Sequence, residues 1–309
     1  MHNYKYWIAL DAVKGIGPGN LKEIYFALEK LSLSITDLFD LEPSEISGEL
    51  HFSDKIVNAV SEAKKLIDRI EEDYIAMLDS GIKIIPFFSA RYPRRLTEIL
   101  ETGLPPFLYV FGNDSLLSEK GIAVLGDMNI SEKGKMITYI ASRDLSRHKI
   151  SIISGLAAGT DMIAHRSSLE NGGTTIAFVP YGIFRLKIPS ALQDAYDAER
   201  TAIVSTFYPD AEPTKYTALA RNRTAAALAY AVYIVEAPND GGIFEAAKSA
   251  KNLGIPLFTT EYSEYPKNAG GNKKIIDELG GFPVRGKKEG DLIVPNIDRL
   301  VSYIKFPAE

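Results

Sequence analysis

The segment Ser154-Gly155-Leu156-Ala157-Ala158-Gly159-Thr160-Asp161-Met162-Ile163-Ala164-His165 carries the sharpest chemical signal in the chain. It follows a strand-like run, contains two glycines and opens a helix. Glycine lets backbone approach a ligand closely, and the first free amides of a helix attract an anion. Asp161 and His165 stand one helical turn apart and can share a face. No Gly-Lys-Ser/Thr follows, so this is not a Walker loop, and the glycine spacing is not that of the dinucleotide fingerprint. Two readings stand here. One is a phosphate-binding turn. The other is a tight strand-to-helix connection, with Asp161 stabilising the first helical turn and His165 packed in the core.

Arg221-Asn222-Arg223 lies in an alanine-rich helical segment just before a strand. Two guanidiniums around an amide offer planar donors to phosphate oxygens or base edges. A solvated or salt-bridged helix face is the alternative. Two further glycine turns open helices at the same expected edge: Asp240-Gly241-Gly242, and Gly270-Gly271-Asn272-Lys273-Lys274, which is basic on its helical side. Gly15-Ile16-Gly17-Pro18-Gly19 sits between two helices in the manner of a helix-hairpin-helix. Asp11 and Glu23 offset Lys14 and Lys22 beside it, which favours a purely structural turn.

The elements that must position these residues follow from apolar spacing. The first eighty or so residues read as helices, including a long amphipathic stretch from Ser53 to about Ser80. From Gly121 the period alternates. Strands are expected at Ile122–Leu125, Ile150–Ile153, Thr175–Val179, Ile203–Ser205, Val232–Glu236 and Pro256–Thr259. Helices are expected at Ser131–Arg147, Thr160–Asn171, Pro189–Arg200, Tyr216–Ala229, Ile243–Asn252 and Lys273–Leu279. The chain from Phe282 reads as a loop and a last short helix. Short apolar strands alternating with helices imply a doubly wound, mostly parallel α/β sheet of the Rossmann-like kind, with ligands at the strand C-termini. The expected domains are a small helical N-terminal one over 1–81 (helix-hairpin-helix or SAM-like) and a Rossmann-like one over 82–309.

Composition narrows the function. With 46% hydrophobic and 24% charged residues, the 309-residue chain is that of a folded globular protein. It has no cysteine, which excludes disulfides, thiolate metal sites and a cysteine nucleophile, and fits a reducing compartment. No apolar signal core follows the start and no run has membrane length, so a cytoplasmic protein without a membrane partner is expected. A balance of 35 Lys and Arg against 40 Asp and Glu gives a net charge of −5. That argues against broad, charge-driven coating of duplex DNA, and leaves room for a local phosphate pocket.

Taken in order, these segments resemble the DNA-processing protein A (DprA/Smf) family. The resemblance rests on the N-terminal helical module and on Tyr92-Pro93…Leu96…Pro105-Pro106…Leu108-Tyr109…Gly112. It continues through Ser154-Gly155…Gly159…Asp161…Ala164-His165, Gly182…Ile188-Pro189…Leu192, Arg221-Asn222-Arg223 and Gly270…Asn272. It implies a Rossmann-like domain that binds single-stranded DNA, usually dimerises, protects incoming DNA during natural transformation and hands it to the RecA recombinase. It implies no chemical reaction and no cofactor. By carry-over, Gly155, Gly159, Arg221, Asn222, Arg223 and Lys273 line the phosphate pocket, with Ser154, Asp161, His165, Gly241 and Gly242 supporting it.

Two departures stand out. The family's first strand ends in Gly-Ser/Thr-Arg, and this chain has Gly126-Asp127-Met128, which is expected to weaken anion binding. Asp240-Gly241-Gly242-Ile243-Phe244-Glu245 replaces a Ser-Gly-Ser…Thr stretch. No winged helix is expected after the sheet. The alternative is a nucleotide-binding or nucleotide-hydrolysing protein akin to the lysine-decarboxylase-like (LOG) phosphoribohydrolases. There Gly241-Gly242 with Glu245 echoes the catalytic loop, and Glu236 or Glu245 would be the acid at the sugar.

Overall fold

Glycine-bounded runs of β-branched residues form the strands, and segments with apolar residues every three or four positions form the helices. The computed structural model describes residues 3–305. It divides into two compact units, Met1–Tyr92 with Glu101–Leu108, and Pro93–Leu100 with Tyr109–Glu309. Residue 82, taken from the sequence as the start of the second domain, lies within the first unit.

The first unit holds α1 (Tyr4–Ala12), α2 (Pro18–Leu31), α3 (Ile35–Asp40), α4 (Pro43–Gly48), α5 (Asp54–Asp79) and β1 (Lys83–Pro86). Gly15, at a φ of 93°, turns the chain out of α1, and Pro18 starts α2 at the position where a missing N–H costs nothing. A reciprocal capping box between Ser34 and Asp37 starts α3. Ile56, Val60, Ala63, Ile70 and Met77 form the buried stripe of α5, on which α1 packs. Lys5 closes that pair with a 2.6 Å bond to Glu71.

The chain continues through α6 (Arg94–Ile99), β2 (Phe107–Gly112), β3 (Gly121–Leu125), α7 (Glu132–Arg147), β4 (Ser151–Ser154), α8 (Thr160–Glu170), β5 (Thr175–Val179), α9 (Ser190–Gln193) and β6 (Thr201–Ser205). It then forms α10 (Lys215–Leu228), β7 (Ala231–Ile234), α11 (Gly242–Asn252), β8 (Leu257–Thr260), α12 (Gly270–Asp277), β9 (Phe282–Val284), β10 (Gly286–Glu289), β11 (Leu292–Pro295) and α13 (Asp298–Lys305). The sheet of this unit runs β2-β6-β5-β4-β3-β7-β8-β9. Only β2 is antiparallel, to β6. Ile137, Ala141, Ala164, Leu300 and Val301, from α7, α8 and α13, pack on Ile122, Val124 and Ile152 of the sheet. The helices α10 and α11 pack together as a second layer. The doubly wound, mostly parallel α/β fold expected from the spacing is the fold found.

Two expectations are corrected. Helix over Pro189–Arg200 shrinks to α9, because Asp197 gathers the residues after it into a turn instead. The Arg200 Nε donates to Asp197 at 2.7 Å, and the Glu199 amide donates to the same carboxylate. The stretch after Phe282 is no simple loop. Strand β9 joins the sheet, and β10 pairs with β11 around Gly290, whose φ is 60°. Lys287-Lys288-Glu289 shows no apolar alternation, so the strand left no trace in the pattern.

Candidate functional site

Strand β4 delivers Ser154 to the C-terminal edge of the sheet, fully buried. Its hydroxyl lies 2.7 Å from the Val124 carbonyl and 2.9 Å from Asp161 Oδ1. The other Asp161 oxygen accepts the Ala157 amide at 3.3 Å. A carboxylate from the first turn of α8 therefore ties the loop from inside, where the helix dipole favours negative charge.

Gly155 is the point of contact with α10. A Cβ there would fall 1.9 Å from Arg221 Nη1 and 2.3 Å from Asp161 Oδ2, so no side chain fits. The Arg221 side chain is 12% exposed, and Nη1 stands 3.9 Å from Asp161 Oδ2. Its Nε is buried with no hydrogen-bond partner. Burial lowers the Arg221 pKa from the usual arginine value, and Asp161 and Tyr181 act against that shift. Such a group remains a cation with unspent donors.

His165 is wholly buried beneath the loop, where burial lowers its pKa below the usual histidine value. Nε2 faces the Gly155 carbonyl and Nδ1 lies 2.6 Å from the Thr175 hydroxyl. A carbonyl can only accept, so Nε2 carries the proton and Nδ1 accepts from Thr175. The histidine fixes the peptide that touches Arg221. His165 is thus a packed histidine that braces the glycine loop from below.

Gly159 has a φ of 78°, and a Cβ there would meet the Met128 carbonyl oxygen at 2.3 Å. The turn after β3 thus lies directly against the glycine loop, and Thr160 Oγ1 donates to the Asp127 carbonyl at 3.1 Å. Asp127 Oδ1 accepts the Asn129 amide at 2.6 Å, so the acid caps its own turn. Met128 is 60% exposed.

The remaining sequence candidates distribute as follows. Asn222 is buried, and its Nδ2 reaches the Gly242 carbonyl at 3.4 Å, linking α10 to the Gly241-Gly242 turn. Both glycines face open space, with Gly241 at a φ of 92°. Arg223 is half-buried and sits about 200° round α10 from Arg221, so the two do not share a face. Lys273 is 66% exposed and pairs with Asp277 at 2.6 Å. Its neighbour Asn272 is fully buried, accepting from the Ala237 amide at 2.8 Å and donating to the Val235 and Thr260 carbonyls at 2.8 and 3.0 Å. Gly155, Gly159, Asp161, His165 and Arg221 are brought together. Lys273 is held on an outer helix.

The acids proposed for a phosphoribohydrolase do not converge on this loop. Glu236 is fully buried; it accepts the Ser131 amide at 2.8 Å, the Ser131 hydroxyl at 2.5 Å and the Tyr262 hydroxyl at 2.9 Å. Its role is to anchor the start of α7. Burial and this carboxylate together raise the Tyr262 pKa above the usual tyrosine value. Glu245 pairs with Lys248 at 2.7 Å on the surface of α11. The sequence signal for Glu236 as an anchor was a lone acid ending a wholly apolar strand, which must be paired to be buried.

The charge of the chain is unevenly placed. The first unit carries ten Lys and Arg against sixteen Asp and Glu, which leaves 25 against 24 in the second. The net of −5 thus divides into −6 and +1. The acidic excess lies wholly outside the unit that holds the site. Among the described residues no group of His, Asp and Glu could hold a metal ion, and no helix is long and apolar enough to cross a membrane.

The family model for DNA recombination-mediator protein A matches residues 83–286, which include every site residue named above. The chain belongs to the DNA recombination-mediator protein A family. Protein Smf of Synechocystis sp. is 26% identical to this family member over 322 residues, spanning 97% of the chain and 78% of that relative. DNA processing protein DprA of Streptococcus pneumoniae is 32% identical over 208 residues, 66% of the chain and 72% of that relative. The fold of this mediator-family chain also matches the structure of DprA from Streptococcus pneumoniae, with a TM-score of 0.70 at 24% identity, over 91% of the chain and 93% of that structure. A structure addressing the single-stranded DNA binding mode of DNA processing protein A from Helicobacter pylori matches at a TM-score of 0.56 and 25% identity, over 66% and 92%.

Proposed function

We propose that this protein binds single-stranded DNA through its phosphodiester backbone at the C-terminal edge of the sheet, and acts in DNA processing and recombination by binding rather than by catalysis. The observation that carries this reading is the Arg221 guanidinium, buried against Gly155 with a partnerless Nε and a carboxylate too distant to bond. A phosphate oxygen would bond the terminal guanidinium nitrogens, which have no hydrogen-bond acceptor among the described residues. The loop amides between Gly155 and Gly159 that Asp161 does not take would hold the same phosphate, with the Gly241-Gly242 turn, braced by Asn222, meeting a neighbouring one along the strand. Bases are then contacted with little sequence preference. The near-neutral charge of the second unit supports this use, and the relatives named for DNA processing agree with it.

In this reading the protein works as a homodimer in the cytoplasm, protecting the strand during transformation and passing it to a RecA-type recombinase. Fluorescence anisotropy of a labelled oligothymidine, at two salt concentrations, tests the core of it. Wild type is expected to bind more weakly at the higher salt, and Arg221→Ala to bind more weakly with a flatter salt dependence. An unchanged slope removes Arg221 from the DNA path. Sedimentation velocity with and without oligothymidine tests the dimer; a monomer at micromolar concentration in both would end that part.

A further inference from the structure

The phosphate edge uses only the second unit, and the first carries a different kind of cavity. Trp7 of α1 and Phe88 after β1 have ring centroids 5.1 Å apart. Tyr25 of α2 stacks on Phe88 at 4.8 Å with planes 5° apart, and Tyr4 meets Phe88 edge-on at 6.1 Å. These four rings, with Leu33 and Glu29, line an open cavity of about 320 Å³. That volume is at the low end for ligand sites and suits one long side chain better than a cofactor.

Charge decides what could enter. Glu29 is the one formally charged residue in the lining, and its carboxylate has no hydrogen-bond or ion-pair partner among the described residues. Its field acts with burial to raise the Tyr25 hydroxyl pKa. Arg91, whose charge reaches the Tyr4 hydroxyl, does not line the cavity. Aromatic faces are the negative pole of the ring quadrupole and attract guanidinium or ammonium groups. A nucleotide stacked on the same rings would bring its phosphate beside Glu29, in a unit of net charge −6. On the same helix, Phe26 is 63% exposed in edge contact with Tyr25, an apolar shoulder for the residue next to the cation.

We propose that this cavity receives an arginine or lysine side chain from a basic segment of a partner protein. The unit is then a protein-docking module, independent of the DNA edge. Trp7 is the sole tryptophan of the chain, so its fluorescence reports directly on the cavity.

The test titrates the full chain with a short peptide alternating glycine and arginine, and with the same peptide carrying citrulline, which keeps shape and loses charge. A saturable change in Trp7 emission with the arginine peptide, absent with citrulline, is expected. Glu29→Gln should weaken that binding by about threefold to tenfold. Tyr25→Ala should weaken it as well, and Tyr25→Phe, which keeps the ring on Phe88, should retain it; where Tyr25→Ala disturbs folding, Glu29→Gln carries the test. No saturable response in wild type, an equal response to citrulline, no effect of Glu29→Gln, or the same emission change with oligothymidine would each overturn the proposal.

Discussion

Nη1 of Arg221 stands 3.9 Å from Oδ2 of Asp161, near enough to feel the charge and too far to share a hydrogen bond. Asp161 instead spends its oxygens on Ser154 and Ala157. The guanidinium is thereby positioned without being consumed.

Removing the guanidinium should weaken DNA binding most among single changes at this edge. Arg221→Ala is expected to lose about 1–3 kcal/mol of binding and about one unit of salt slope. Arg221→Lys keeps the charge and loses the planar fork, so it should fall between. Anisotropy titrations of the three proteins check this, and equal affinities would contradict it.

Asp161→Asn keeps its one oxygen for the Ala157 amide, and its NH2 can donate to the Ser154 hydroxyl, whose proton goes to the Val124 carbonyl, while the only carboxylate paired with Arg221 among the described residues is deleted. Affinity for oligothymidine at low salt should rise by a few-fold, since the arginine no longer shares its field. Asp161→Ala leaves the Ala157 amide without its acceptor and the Ser154 hydroxyl with the Val124 carbonyl alone, and should destabilise the fold by about 1–3 kcal/mol. Urea unfolding separates the two effects.

Gly155→Ala and Gly242→Ala form a matched pair. The first drives a methyl into Arg221 Nη1 at 1.9 Å, whereas the second meets nothing within 4 Å. Gly155→Ala is expected to cost about 1–3 kcal/mol and to displace Arg221. Gly242→Ala should lie within about 0.5 kcal/mol of wild type. Comparable unfolding midpoints for the two would show that the loop has slack.

His165 and Asp11 give opposite pH dependences. Burial lowers the His165 pKa in the folded state, so the unfolded chain takes up more protons below its own histidine pKa of about 6.5. Stability from this group is lost as pH falls through about 6.5. Burial pushes the Asp11 carboxyl up to about 7, so its folded form binds more protons than the unfolded one. That penalty is full above 7 and relieved as pH falls from 7 toward the unfolded value of about 4. Asp11→Asn should therefore stabilise the protein at pH 8 and make little difference at pH 4. In His165→Gln the loss of stability between pH 7 and 5.5 should be smaller than in wild type. Denaturant melts at four pH values check both signs.

The sheet was legible because each buried strand is a short run of residues such as Ile152-Ile153 or Val232-Tyr233-Ile234, closed by glycine or a polar residue. The glycine loop was legible because a side chain at Gly155 or Gly159 would collide with Arg221 and Asp161 or with the Met128 carbonyl. Arg221 and Arg223 look equivalent in sequence, yet two residues are about 200° of helix, which separates burial on the loop from a different face. Lys273 reads as basic and available, yet Asp277 four residues on lies one helical turn away and pairs with it. Nothing in residues 286–295 announces a hairpin, since its pairing is set by the turn at Gly290 and by the α7 surface it packs on.

Asn272 saturates three backbone groups from the ends of two adjacent strands with one carboxamide. No smaller or charged side chain offers that donor and acceptor set, so the strand tips are pinned before any ligand arrives. Association should then pay little ordering entropy, and stopped-flow traces should follow a single exponential whose rate rises linearly with DNA concentration.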